Sequence, residues 1–158
     1  MRILTALLIS LGLAGATATG TSAQALDKKV LSFQAAQKIA TAAEAAARAQ
    51  GVGVVIAVVD DGGHLILLHR LDDTQVASVN VGIGKARTAA IYRRPSKVFE
   101  DQIRAGRVAA LALADSTPLQ GGVPVTLNGK VIGAIGVSGD TPQVDEAIAI
   151  AGASAFAQ

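Results

Sequence analysis

The spacing of apolar positions changes several times along the chain, and each change marks an element. Phe33, Ala36, Ile39, Ala40, Ala43 and Ala47 recur every three or four residues, while Lys38, Glu44 and Arg48 fall elsewhere. That spacing predicts an amphipathic helix with Phe33 on its buried stripe. Ser32 is placed to cap it, and Gly51, just past Gln50, to stop it. Val52 to Val59, VGVVIAVV, is an unbroken apolar run rich in β-branched residues and reads as a buried strand. Asp60-Asp61-Gly62-Gly63 then reverses the chain, since Asp-Gly and Gly-Gly supply the positive φ angles of a tight turn. His64 to Leu71 returns as a second strand, apolar enough to be covered on both faces.

Helical spacing resumes at Gln75 and continues to about Tyr92, with Val76, Val79, Ile83, Ala86 and Ala90 as the expected buried stripe. Pro95 ends it, because the residue before a proline avoids the α region. A short helix over Ser96 to Ala105 follows, and Arg107 to Ala114 fits either a helix or a strand. Thr117 to Val125 is a glycine- and proline-rich approach to a strand. Asn128-Gly129 is a hairpin turn, and Val131 to Val137 is its returning strand. Asp140 or Thr141 caps a last helix that has Pro142 in its first turn and Asp145-Glu146 near its positive end. Two hairpins with helices between them predict an α+β domain, an antiparallel sheet flanked by helices.

Composition narrows the compartment. Arg2 opens a short basic region, Ile3 to Ala18 are nearly all apolar or small, and Ala23-Gln24-Ala25 suits a signal peptidase. This is the layout of a secretory signal peptide over residues 1–25, leaving one domain over 26–158. An uncleaved membrane anchor is the alternative. The expected location is the bacterial periplasm or the medium. No cysteine is present, so disulfides, thiolate metal sites and a cysteine nucleophile are excluded. Of 14 basic side chains Arg2 belongs to the leader, and the remainder nearly balance the 12 acidic ones. With one Tyr, three Phe and no Trp as well, neither a basic footprint nor a stacking platform for nucleic acid exists.

Candidate chemistry is sparse. No serine lies in a Gly-x-Ser-x-Gly elbow, and Gly82-Ile83-Gly84 lacks the third glycine of a dinucleotide loop. His64 and His69 are the only imidazoles, and strand alternation over five residues sets them on opposite faces. Without His-x-His or His-x-x-x-His spacing, a zinc site is not expected. Arg70 and Asp72 suit a ligand carboxylate or, equally, a mutual salt bridge. Lys85 and Arg87 face either a pocket or, by preference, solvent. Gly121 and Gly122 bring bare backbone near a neighbour. The amides of Ser138, Gly139 and the last helix suit an anion, although turn and cap geometry alone accounts for them.

The strings VVDDGGHLILLHRLDD, VGIGKARTAA, TPLQGGVPV and NGKVIGAIGVSGDTPQVDEAIAIAG resemble the GlcG/HbpS family of small haem-binding proteins, from about Leu31 to the end. The family includes the C-terminal domain of PduO-type proteins. The resemblance implies a profilin- or PAS-like antiparallel sheet, assembly into homo-oligomers and haem as a cofactor. For the exported type it also implies haem sensing beside a membrane histidine kinase. Any histidine ligation of haem iron must use His64, preferred for its place at the turn exit, or His69. The other readings are a lyase, isomerase or haem-degrading enzyme with a pocket near Arg70, Asp72, Lys85 and the glycine-rich turns, and an accessory subunit acting through its oligomer surface.

Overall fold

A computed structural model describes residues 24–156. The signal-peptide reading falls almost wholly outside these residues. In chain order the elements are α1 (Phe33–Gln50), β1 (Val55–Asp60), β2 (Leu65–Arg70), α2 (Ser78–Ile91), α3 (Lys97–Arg104), a short 3-10 helix (Val108–Ala112), β3 (Gly122–Leu127), β4 (Lys130–Ser138) and α4 (Pro142–Phe156). Four strands form one antiparallel sheet in the order β2-β1-β4-β3. The predicted α+β class is the observed one.

Local chemistry sets the ends of the elements. The Ser32 side chain accepts from Ala35 N at 3.2 Å, and Gly51 closes α1 in the left-handed region at φ 67°. Asp60 Oδ1 accepts from the amides of Gly62 and His64, both at 2.9 Å, and so holds the first hairpin shut. Asn128 and Gly129 turn the second hairpin with φ of 50° and 73°, the pair of positive angles that a two-residue reversal demands. Thr141 Oγ1 accepts from Val144 N and caps α4. The segment whose period was ambiguous, Arg107 to Ala114, contains the 3-10 helix.

The sheet is covered unequally. Ile56 and Val58 of β1, with Ile135 and Val137 of β4, face α1 and α4 across the main core. On the other face Ala57, Val59 and Ala134 meet Ala86, Ala89 and Ala90 of α2. Three of the predicted features differ. Phe33 is 55 % exposed, because α1 packs through its alanines and Ile39 and leaves its first turn outside. The buried stripe of α2 keeps the predicted Ala86 and Ala90 but adds Gly82, Lys85 and Ala89, while Val76 lies before the helix and is 75 % exposed. A small-residue face wins here because it lets the helix backbone sit close to the sheet. Finally, β2 is an edge strand, half-buried throughout and exposed at Leu65 and Arg70. Its long apolar run faces α1 on one side and lacks equal cover on the other.

Candidate functional site

The end of β2 carries the first cluster. His69 lies opposite Ile56 in the ladder and therefore shares the face that meets α1. There its Nδ1 stands 2.8 Å from Glu44 Oε2. Glu44 in turn accepts from Arg48 Nε at 2.9 Å and Nη2 at 2.7 Å, one helical turn on. These bonds, from Arg48 first and then His69, hold the Glu44 carboxyl below its ordinary pKa. A carboxylate only accepts, so Nδ1 carries a proton, and in the neutral ring Nε2 then carries the lone pair. No bond from Nε2 is present, and no buried side-chain nitrogen or oxygen among the described residues lacks a partner, so Nε2 is open to solvent. The His69 side chain lines a cleft of about 350 Å³ together with Glu44, Arg48, Arg70, Leu71 and Asp72.

Arg70 and Asp72 also line an adjoining cleft of about 420 Å³ with Asp73 and Thr74. They do not pair with each other. Arg70 Nη2 donates to Thr74 O at 3.3 Å, because the chain turns back on itself after Leu71.

His64 lies apart. It is exposed at the turn exit, where its carbonyl accepts from Asp60 N, and it lines neither cleft. The ladder slips between Val58 and Val59, leaving Ile66 as an extra residue on β2. Counting across this bulge moves His64 to the register side of His69, so simple alternation misassigns it. The two rings still stand at opposite ends of the strand, roughly 15 Å apart by strand rise. Among the described residues no group of three His, Cys, Asp or Glu is arranged to hold a metal ion.

A second cluster sits at the same end of the sheet, across β1 from the first, since Arg70 and Ser138 both pair with Val55. Lys85, expected on a solvated helix face, is buried. Its Nζ donates to Asp145 Oδ2 at 2.7 Å and to Val137 O at 3.0 Å. Asp145 Oδ1 accepts from Asp140 N, and Asp140 Oδ1 from Thr141 N. At the start of α4 the amides of Asp140 and Thr141 are thus taken up by the chain's own carboxylates, in keeping with the preferred reading of cap geometry. Burial raises the Asp145 pKa despite the opposing pull of Lys85. Lys85, Asp145, Ser138 and Gln120 line a cleft of about 350 Å³ between α2, the approach to β3 and the start of α4. Ser138 Oγ bonds Ser78 Oγ at 3.3 Å.

Gly121 and Gly122 bring bare backbone close to Lys85, as expected: a Cβ on Gly122 would overlap the Lys85 carbonyl. Gly122 N donates to Ser96 Oγ and Gly121 O accepts from Val137 N, so these groups are used internally. A Cβ on Gly121 would lie 3.0 Å from Lys85 Nζ, at a φ of 122° that side chains rarely adopt. Arg87 reaches back to the first hairpin and donates to Gly63 O at 3.3 Å.

The donors at His69 suit haem. An imidazole whose Nδ1 is anchored on a carboxylate offers a directed Nε2 to iron, and neighbouring guanidiniums suit propionates. The exposed ring of His64 has no such anchor.

Comparison with known proteins agrees with this architecture. Residues 31–154 match the family model described as haem degrading protein HbpS-like. Protein GlcG of Escherichia coli K12 is 44 % identical over 111 residues, covering 70 % of this chain and 83 % of its own. The crystal structure of HbpS superposes with a TM-score of 0.78 at 31 % identity, over 85 % of this chain and 97 % of that one. A PduOC:heme complex superposes with a TM-score of 0.73 at 25 % identity, over 80 % and 95 %. With the family model spanning both hairpins and all four helices, the chain belongs to the HbpS-like family.

Proposed function

We propose that this chain is an exported haem-binding protein that works in haem capture, storage or sensing, with His69 as the axial ligand. The observation that carries the reading is the His69 imidazole, fixed through Nδ1 to Glu44 and open at Nε2 beside Arg48 and Arg70. Bound haem would supply an iron centre whose access and charge the protein controls. The heme complex of the PduOC relative and the family description support the choice of cofactor. Leu71 is the one apolar residue lining the His69 cleft, which therefore suits the propionate edge better than the whole ring. A second copy of the chain is proposed to cover the rest, in keeping with a homo-oligomer. A membrane sensor kinase is the partner proposed for a sensing role.

Titration of the purified protein with hemin tests this directly. Saturable growth of a Soret band is expected, with the band moved or weakened in His69→Ala and unchanged in His64→Ala. The reverse pattern would transfer the ligand to His64, and absence of saturable binding would remove the haem reading. For export, N-terminal sequencing of the protein from a periplasmic fraction should begin at Leu26. A chain beginning at Met1 would oppose it.

A further inference from the structure

The Lys85 cleft has a chemistry that haem binding at His69 does not use. Lys85 is an amine at the inner end of a small cleft, only 4 % exposed, with a carboxylate 2.7 Å from its nitrogen. Two of its three N–H donors are engaged, by Asp145 and Val137 O. Around it the walls combine hydroxyl and amide groups of Ser78, Ser138 and Gln120 with apolar surface from Val81 and Leu119. Gly121 lets bare backbone pack against Nζ, where a Cβ would crowd the Val137 carbonyl, Lys85 Nζ and Asp145 Cβ. A buried lysine beside a carboxylate that can take its proton, on the wall of a cleft of about 350 Å³, is placed to present a free amine once that proton has moved.

We propose that Lys85 condenses reversibly with a small aldehyde or ketone held in this cleft. The Lys85 ammonium first gives a proton to Asp145. The free amine then attacks the carbonyl carbon, forming the C–N bond as the C=O π electrons move to oxygen. That oxygen takes up the proton held by Asp145 and one from nitrogen, and leaves as water when the C=N bond forms. Atoms and charge balance without an oxidant or reductant. The elevated pKa of buried Asp145 agrees with its holding the proton in transit. Ser78, Ser138 and Gln120 offer hydrogen bonds to a hydroxyl beside the carbonyl, so short hydroxy-carbonyl compounds fit best. The proposal stands on different residues from the haem site and is independent of it.

Reductive trapping decides it. The haem-free full chain is treated with limiting glycolaldehyde and cyanoborohydride, and the adducts are mapped by peptide mass spectrometry. The chain has five other lysines, Lys28, Lys29, Lys38, Lys97 and Lys130, which act as internal controls. Most of the label is expected on Lys85 of the unaltered protein, and Asp145→Asn is expected to slow that labelling relative to the other five. Label spread over the five others with Lys85 unmodified would overturn the proposal, as would equal labelling of Lys85 in Asp145→Asn. Because site mapping in the unaltered chain is decisive, the test does not depend on the folding of any variant.

Discussion

At the scale of single residues, the Glu44 carboxylate is what distinguishes His69 from His64. It fixes the ring plane and leaves Nε2 as the one free nitrogen, which is the arrangement that tunes a histidine ligand. Glu44→Gln keeps an oxygen that can accept from Nδ1 but removes the charge. Hemin affinity is expected to fall by roughly 10- to 100-fold, the usual effect of altering such a partner. Parallel titrations of both proteins measure it, and equal affinities would show that Glu44 has no part in ligation. The same carboxylate contributes to acid stability. Its folded pKa lies below its ordinary value of 4.5, so its stabilising contribution is present above 4.5 and is lost as pH falls through the lower folded value. Both histidines were visible in the sequence as candidates, but Glu44 was not. It lies 25 residues earlier on a helix, where its spacing from Lys38 and Arg48 marks only a polar face. Asp145 was legible as a helix-start acid, while its pairing with Lys85, 60 residues away, depends on the sheet between them.

At the scale of elements, periodicity located every α-helix and turn chemistry both hairpins, since the turns at Asp60–Gly63 and Asn128–Gly129 are local. What it did not yield was how closely elements approach. Scored by hydrophobicity, α2 points Val76, Val79, Ile83, Ala86 and Ala90 inward; the last three do pack there, yet the contact with β4 at Gly136 is made by Gly82 and Ala86. A Cβ on Gly136 would overlap the Gly82 carbonyl oxygen and come within 2.5 Å of Ala86 N, both backbone atoms that cannot rotate away. Gly136→Ala is therefore expected to destabilise the fold by about 1–3 kcal/mol, the typical cost of overpacking. Thermal or urea unfolding measures it. The same displacement of α2 should draw Lys85 from Asp145 and lower its labelling by glycolaldehyde. An unaltered midpoint would show that α2 shifts freely on the sheet. Gly133, by contrast, faces Leu31 and the Val59 carbonyl, on the side of the sheet away from α2.

At the scale of the whole molecule, Lys85 and Asp145 join the two sides of the sheet. Lys85 belongs to α2 on one face, Asp145 to α4 on the other, and the Val137 carbonyl between them to β4. The pair is a buried one, so removing a single partner is costly while replacing both with apolar residues is not. Lys85→Met leaves Asp145 without its ammonium and should cost about 3–5 kcal/mol near neutral pH. The pH dependence has a definite sign. The Asp145 pKa is raised above 3.8 by burial even with Lys85 present, so its favourable contribution exists below 3.8 and is lost as pH rises through the folded value. Without Lys85 two of the three interactions that lower that pKa are gone, and the loss extends further. The variant should therefore lie closer to the unaltered protein in urea midpoint at pH 5 than at pH 8. Lys85→Met combined with Asp145→Leu should recover most of the difference and flatten its pH dependence. A deficit in Lys85→Met that is the same at both pH values would place the cost in lost packing of the lysine stem rather than in the stranded carboxylate.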